Sequence, residues 1–168
     1  MITIAGSGPS VEEYNKRVTI ATKKRSLPSD YLFCRFACQY YKAKGPDIPL
    51  LLYFNRCTCE PPKTCPLCNG SDVEVFPLDS KKWDEYWKGF IRKGATLSTH
   101  KKPSLGTCAV FAAVEHFGVD EIGVIGYDNI LDGNTDWMHD AIAEKWCIES
   151  LVNIVDLRSR KRSIKQRA

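Results

Sequence analysis

The residues best placed to do chemistry stand near the start of the chain, in the segment Ile4-Ala-Gly-Ser-Gly-Pro-Ser10. A short β-branched strand runs into a glycine turn, and a polar segment of helical character follows. Such a turn places bare backbone N–H groups at a helix start, where phosphate binds without a cationic side chain. This turn is therefore a candidate nucleotide site, in which Gly6 and Gly8 allow close approach and Ser7 or Ser10 either caps the helix or contacts the ligand. The alternative is an ordinary tight turn, and the missing lysine after the glycines excludes a Walker-type loop.

Four cysteines stand close together in the pattern Cys57-x-Cys59-x5-Cys65-x2-Cys68. Four thiolates at this spacing can close a tetrahedral Zn²⁺ site that leaves no open position for catalysis. We predict a structural zinc that holds the insertion 56–72 together, with two local disulfides or an iron–sulfur centre as alternatives. The other cysteines lie in apolar segments and are predicted to be core residues: Cys34, Cys38, Cys108 and Cys147.

Composition is that of a globular protein of one domain, with 168 residues, 43% apolar and 26% charged. No apolar run approaches the roughly 18 residues of a membrane span, so no membrane partner is expected. Eight cysteines with no export signal favour a reducing cytoplasm. The net charge of +4 is uneven, since residues 158–168 carry six Lys or Arg and no acid. Such a tail is either a solvated end or an arm that binds a polyanion, most plausibly nucleic acid.

Apolar runs alternate with polar and glycine-containing segments, which indicates an open parallel α/β sheet in a single domain, 1–157. In such sheets ligands bind beyond the carboxyl ends of the strands, so the loops after Ile4, Phe36, Phe54 and Ile125 should converge. The predicted strands are 1–5, 31–36, 48–54, 73–76, 121–126 and 153–157. The predicted helices are 9–25, 106–117 (ended by Gly118) and 138–151, with a helix or irregular segment at 82–93 and a loop at 127–136.

Four separated segments together resemble the bacterial sialyltransferases of glycosyltransferase family 42. The turn Ile4–Ser10 resembles that family's opening strand-turn, and Leu52-Tyr-Phe-Asn-Arg56 its strand ending in a nucleotide-binding Asn. The stretch from Ser104 to Asp128 is similar to its small-residue helix and the following Gly-x-Asp strand end. Trp137-Met-His139, with Glu149 ten residues later, is similar to the segment bearing its catalytic histidine.

The resemblance implies a Rossmann-like, mostly parallel sheet flanked by helices, in the sialyltransferase-like GT-A variant. It also implies metal-independent, inverting sugar transfer from a CMP- or UDP-linked donor, with His139 as the general base. A lone histidine at a helix start is otherwise more often a surface or capping residue. Asp128 either orients a substrate or caps a turn. In the donor site the resemblance implies contacts to the phosphates or ribose from Gly6, Ser7, Gly8 and Ser10, a contact to the nucleotide from Asn55, and contacts to the base or phosphate from Ser104, Gly106 and Thr107. The candidate cations for the departing phosphate are Arg35, His100, Lys101 and Lys102, although a Lys-Lys-Pro loop is ordinarily a solvated turn.

Departures from the family pattern limit what the resemblance implies. Arg35 falls near a donor-binding Asn of the family, and Ile130 stands where the family has a phosphate-contacting Tyr. The stretch between Asp128 and His139 is shorter than the family's lid, so a second subunit could cover the cleft in a homo-oligomer. The family's membrane-associating portion is missing and the cysteine insertion is foreign to it. Sialic acid as the donated sugar therefore does not follow.

The basic tail and the cysteine insertion favour a nucleic-acid acceptor, such as a hydroxylated base in bacteriophage DNA, which places the protein in a host cytoplasm. A glycan or small-molecule acceptor is the first alternative. A zinc-stabilised module that binds nucleic acid or a nucleotide without catalysis is the second, and another nucleotide-dependent enzyme, such as a methyltransferase, is the third.

Overall fold

The described part of the chain builds one sheet of seven strands, in which every neighbouring pair is parallel. The computed structural model describes residues 1–22, 27–35, 48–52, 75–92, 102–136 and 138–158. In spatial order the strands are β5-β4-β3-β2-β1-β6-β7. Their bounds are β1 Ile2–Ala5, β2 Val18–Thr22, β3 Ser29–Cys34, β4 Leu50–Leu52, β5 Val75–Pro77, β6 Glu121–Ile125 and β7 Asn153–Asp156.

The strand order reverses direction at β1. From β1 the chain moves outward on one side through β2 to β5, and then returns to pair β6 against the other side of β1. The register places Ile4 opposite Val124 and Ala5 opposite Ile125, so β1 and β6 end side by side. A crevice forms beyond the carboxyl ends of two such strands, because their outgoing connections diverge.

The helices are distributed unequally over the two faces of the sheet. Buried residues of α1 (Ser80–Lys88), α2 (Leu105–Phe117) and α4 (Ala141–Glu149) pack with Ile4, Ile20 and Phe33 on one face. A short 3-10 helix, Pro9–Glu13, follows β1, and its Val11 packs with Ala5 and Ile125 on the other face. A five-residue helix, α3 (Asp128–Asp132), follows β6.

Aromatic packing anchors the helical face. The rings of Trp83 in α1 and Phe111 in α2 stack at 4.6 Å between centroids, and both side chains are buried. Gly118 ends α2 in the left-handed conformation with φ of 59°, as the sequence predicted. Among the described residues, no helix has the length and apolar character that crossing a bilayer requires.

The predicted open parallel α/β sheet is confirmed, but one element was misassigned. The segment 9–25 was predicted to be a single helix, whereas it contains the 3-10 helix and then β2. Val18-Thr-Ile-Ala-Thr22 is rich in β-branched residues and pairs with β1 on one side and β3 on the other. The helical interpretation was wrong because it gave weight to the polar residues before Val18 and none to this strand pattern.

Other boundaries differ by a few residues. The predicted loop 127–136 contains α3, and the predicted helix 138–151 is the shorter α4. Cys34, Cys108 and Cys147 are buried, as predicted for core residues, and burial raises the pKa of Cys108 and of Cys147 to about 12. Thiols with so high a pKa are unreactive at neutral pH. Cys38 lies outside the described residues.

Candidate functional site

A cleft of about 430 Å³ opens at the carboxyl ends of β1 and β6. Its walls come from the glycine turn after β1, the first turn of α2, the residues after β6, and the start of α4. It therefore lies at the point where the strand order reverses, which is where open α/β sheets bind ligands. Six of the residues predicted from sequence line it: Gly6, Ser7, Gly8, Ser104, Gly106 and His139.

The glycine turn owes its sequence to close packing against the end of β6. The Gly6 N–H donates to the Ile125 carbonyl at 2.7 Å, and the Gly8 N–H donates to the Gly126 carbonyl at 2.8 Å. A Cβ on Gly6 would stand 2.5 Å from the Gly126 oxygen, so only glycine fits. The prediction of bare N–H groups was wrong for these two amides, because both already donate hydrogen bonds to carbonyls at the end of β6.

Ser10 and Asp128 form a buried pair beneath the turn. The Ser10 hydroxyl donates to Asp128 Oδ1 at 2.7 Å and accepts the Gly126 N–H at 2.9 Å. Ser10 is 1% exposed and Asp128 6% exposed, and neither lines the cleft. The prediction of Ser10 as a ligand contact is therefore not supported by its position. Asp128, predicted to orient a substrate or to cap a turn, instead holds the glycine turn against β6.

His139 stands on the opposite wall, just before α4. Its backbone N–H donates to Asp136 Oδ1 at 2.7 Å, and its ring Nδ1 lies 3.2 Å from the Lys102 carbonyl oxygen. A carbonyl only accepts, so Nδ1 carries the proton in this hydrogen bond and Nε2 keeps its lone pair. The imidazole is half-buried and lines the cleft. Its geometry suits a general base acting through Nε2.

The residue after His139 fixes the start of α4. Asp140 caps the helix by accepting the Ala143 N–H at 3.1 Å, and both its oxygens accept from the Arg92 guanidinium at 2.9 Å. Burial acts to raise the pKa of Asp140, but the hydrogen bonds from Arg92 and Ala143 outweigh it and hold that pKa below 3.8. The exposed Trp146 ring packs 5.7 Å from the Arg92 guanidinium. This anchoring places His139 at a set position on the cleft wall.

The first turn of α2 forms the third wall. Its N-cap, Ser104, does not cap through its side chain, and the first backbone amide to bond within the helix is that of Cys108. Thr107, predicted to contact the donor, is fully buried and donates its hydroxyl to Glu144 at 2.6 Å. The Tyr127 hydroxyl donates to the Gly106 carbonyl at 2.7 Å, which joins this wall to the end of β6.

Glu144 is a cleft residue that the sequence reasoning missed. It lies in α4, is 1% exposed, and accepts both the Ser104 N–H and the Thr107 hydroxyl on Oε1, each at 2.6 Å. A signal was present in the sequence, since Glu144 interrupts the apolar pattern Ala141-Ile-Ala-Glu-Lys-Trp-Cys-Ile148. Glutamate is rarely buried without a specific reason.

The cleft is acidic where the structure describes it. Asp136 and Glu144 line it, and none of the described lining residues is a lysine or an arginine. The predicted donor contact Arg35 does not line the cleft, and its guanidinium donates to the Pro103 carbonyl, just before α2, at 3.1 Å. Burial raises the pKa of the nearby Asp84, and Arg35 acts against that shift. The Lys102 side chain is exposed, while Asn55, Lys101 and His100 lie outside the described residues.

The zinc prediction falls on residues that the structure does not describe: Cys57, Cys59, Cys65 and Cys68. Within the described ranges, no group of three or more His, Cys, Asp or Glu side chains could hold a metal ion. The structural zinc site therefore stays a prediction from spacing alone.

Comparison with known proteins gives no relative from which a function could be transferred. No protein-family model matches the chain, and neither does any curated protein or solved structure. The site must be interpreted from its own geometry.

Proposed function

We propose that this protein is a metal-independent glycosyltransferase that moves a sugar from a CMP- or UDP-linked donor to an acceptor hydroxyl with inversion. The observation that carries the proposal is that His139 and the glycine turn line the same cleft at the reversal of the strand order. A nucleotide bound along the turn would then present its sugar toward a basic imidazole nitrogen. The resemblance to glycosyltransferase family 42 supports the same assignment of roles.

The proposed role of His139 follows from the chemistry of attack. An acceptor hydroxyl that attacks an anomeric carbon must lose its proton, and a positioned general base accelerates that step by about 10²–10⁴-fold. The hydrogen bond from Nδ1 to the Lys102 carbonyl leaves the Nε2 lone pair of the neutral imidazole available to accept the proton of an incoming hydroxyl. Attack from the side opposite the departing phosphate inverts the anomeric configuration.

The departing nucleotide carries negative charge that the site must stabilise. Ser7 lines the cleft at the turn, and its amide, unlike those of Gly6 and Gly8, has no carbonyl acceptor among the described residues. Cationic help would come from the rim, where Lys102 is exposed beside His139 and Lys101 precedes it in the chain. In this proposal the nucleotide phosphates bind at the glycine turn, and the acceptor hydroxyl with His139 lies on the other side of the sugar.

The acceptor we favour is a hydroxylated base in modified bacteriophage DNA. The cationic tail and the cysteine insertion are the features that support a nucleic-acid acceptor over a glycan or a small molecule. A polyanion would be attracted to that tail, and its attraction would weaken as salt rises.

The proposal is tested by mass spectrometry of the products formed from a nucleotide-sugar library and candidate acceptors, with His139→Ala as the comparison. We expect an acceptor mass increase equal to one sugar, lost in the variant. A thermal-shift panel of CMP, UDP, their sugar derivatives and S-adenosylmethionine identifies the ligand class, since a ligand at 100 times its Kd stabilises by about 2.7 kcal/mol. Stabilisation by S-adenosylmethionine alone would replace sugar transfer with methyl transfer. Nucleotide binding with equal activity in wild type and variant would indicate a non-catalytic module.

A further inference from the structure

Glu144 is a buried carboxylate that nevertheless faces the cleft. Glu144 is only 1% exposed, yet it is one of the residues that line the cleft, next to the first turn of α2. Oε1 takes both hydrogen bonds, from the Ser104 N–H and the Thr107 hydroxyl at 2.6 Å each. No hydrogen bond to Oε2 is formed within the described part of the chain, although a carboxylate oxygen can accept two.

Capping α2 does not explain why this carboxylate is there. Serine at an N-cap position normally satisfies the helix amides with its own hydroxyl. Ser104 occupies that position, but its Oγ makes no capping hydrogen bond and is buried without a partner. The Ser104 hydroxyl could cap the helix but does not, and Glu144, from a different helix, accepts the Ser104 N–H instead.

Among the described residues, no cation pairs with the charge of Glu144 either. Its described contacts are one amide and one hydroxyl, and none of the ion pairs among the described residues includes it. Burying a carboxylate without a partner charge is costly, so such groups concentrate where a ligand supplies the missing hydrogen bonds. A ligand could supply the hydrogen-bond donor that Oε2 does not find among the described residues.

We infer that Glu144 accepts a hydroxyl of the donated sugar on Oε2, and that the cleft therefore selects a neutral sugar and disfavours a sugar acid. This inference rests on the proposed function and names the donor class for it. The two hydrogen bonds to Oε1 hold the carboxylate in place. Because Glu144 already sets a negative charge at the N-terminus of α2, that position suits an uncharged polyol, and the donor phosphates bind at the glycine turn.

The test is isothermal titration of UDP, UDP-glucose, CMP and CMP-N-acetylneuraminate against wild type and Glu144→Gln. The amide oxygen of Gln still accepts from Ser104 and Thr107, whereas its NH₂ group turns an acceptor into a donor toward the cleft. We expect the ratio Kd(UDP-glucose)/Kd(UDP) to rise at least tenfold in the variant. For the acidic sugar the ratio Kd(CMP-N-acetylneuraminate)/Kd(CMP) should fall at least threefold, because a like charge has been removed.

The exposed Glu149 on the same helix provides the matched control, and Glu149→Gln should leave both ratios within twofold. A purely structural Glu144 would change the affinities for nucleotide and nucleotide-sugar together, and unchanged ratios in Glu144→Gln would overturn the inference. If neither UDP nor CMP binds, the proposed function fails. The inference is then decided by ¹⁵N spectra of the wild-type protein. D-glucose, but not D-glucuronate, must shift the signals of the Ser104 and Gly106 amides. Absence of that shift would also overturn the inference.

Discussion

At the level of single residues, the imidazole of His139 is the group whose removal should change chemistry without changing the fold. It is half-buried, and its side chain makes one hydrogen bond to the described residues, with the Lys102 carbonyl. We expect His139→Ala to lower the transfer rate by about 10²–10⁴-fold. Its free energy of unfolding should stay within about 0.5 kcal/mol of wild type, as for most surface substitutions.

Initial rates at saturating donor, together with thermal unfolding, measure the two effects in the His139→Ala protein. Met138→Ala is the control, since Met138 is the neighbouring residue, is 48% exposed, and is not one of the described residues that line the cleft. A His139→Ala protein with more than a tenth of wild-type activity would rule out the imidazole as the general base.

Asp140 predicts a pH dependence of stability with a definite sign. Its pKa is lowered in the folded protein by Arg92 and Ala143, despite burial. A depressed pKa means that the folded state binds its proton less readily than the unfolded state. The stabilisation is therefore complete above the unfolded-state pKa of about 3.9 and is lost as pH falls through the lower folded-state pKa.

Urea unfolding between pH 7 and pH 2.5 measures this effect as the difference between wild type and Asp140→Asn. The difference should be constant at neutral pH, where we expect about 2 kcal/mol in favour of wild type from the charged hydrogen bonds, and should shrink below pH 4. Taking the difference removes the contribution of Asp156, whose pKa is also lowered despite burial, by Arg158. A difference independent of pH would show that the Arg92 pairing does not contribute.

Sequence reasoning located the cleft residues better than it assigned their roles. Gly6, Gly8 and His139 were predicted to meet, and they line one cleft. Ser10 was misjudged because its partner, Asp128, lies 118 positions away, and no local pattern reveals so distant a hydrogen bond. Glu144 interrupts the apolar pattern of its helix and so left a local signal, but its hydrogen-bond partners lie 40 and 37 positions away at the start of α2.

At the level of elements, the glycine turn and the end of β6 pack so closely that side chains are excluded. A Cβ at position 8 would overlap Asp128 Oδ1 and stand 2.8 Å from the Gly126 oxygen. Neither the Gly126 backbone nor the buried Asp128 can move without breaking the Ser10 contacts. We expect Gly8→Ala to destabilise the protein by about 1–3 kcal/mol, the usual range for overpacking.

Gly89 after α1 offers a matched comparison for that substitution. It has φ of −69° and ψ of −13°, and a Cβ there would meet only the Tyr86 oxygen at 3.4 Å. Gly89→Ala should change the free energy of unfolding by less than about 0.5 kcal/mol. Denaturant melts of the two variants decide the point, and equal stabilities would contradict the packing argument.

The insertion 56–72 carries the prediction that the structure does not test. If Cys57, Cys59, Cys65 and Cys68 bind zinc, elemental analysis of the purified protein should give one zinc per chain, and Cys65→Ser should lose it. Cys147→Ala, at a buried thiol outside the insertion, should keep the metal. A zinc-free protein with two disulfides by mass spectrometry would replace the metal site with the alternative pairing.

β2 shows why one element escaped the sequence analysis. Lys16 and Arg17 continue the polar character of the preceding segment, and only six residues separate β2 from β3. Parallel strands usually need a crossover of a dozen or more residues, so a connection of this length is unusual between adjacent parallel strands. The pairing of Ile20 with both Ile4 and Tyr31 depends on strands far from the local pattern.

At the level of the whole molecule, topology places the cleft. The chain leaves β1 over the face that carries Val11, and it reaches β6 after α1 and α2, which cover the opposite face. Connections that diverge in this way leave a crevice at the carboxyl ends of β1 and β6. The alternation of strands and helices was sufficient to predict that the loops after β1 and β6 converge on a cleft at this edge. It could not indicate the acidity of the cleft, which arises from side chains of separate loops and α4.

The last prediction concerns the basic tail, which was predicted to start at residue 158 but starts after it in the structure. Arg158 pairs with Asp132 and Asp156 at 2.8 Å, so it belongs to the folded domain and is engaged with carboxylates. Five cationic residues remain beyond it, Arg160, Lys161, Arg162, Lys165 and Arg167.

If these five residues neutralise phosphates, deleting 159–168 should weaken duplex DNA binding and reduce the slope of log K against log salt by up to about 4. Binding isotherms from 50 to 300 mM salt measure that slope, and replacing the five cations by Gln in the full chain separates charge from length. A slope that stays unchanged in both variants would remove the tail, and with it the main argument for a nucleic-acid acceptor.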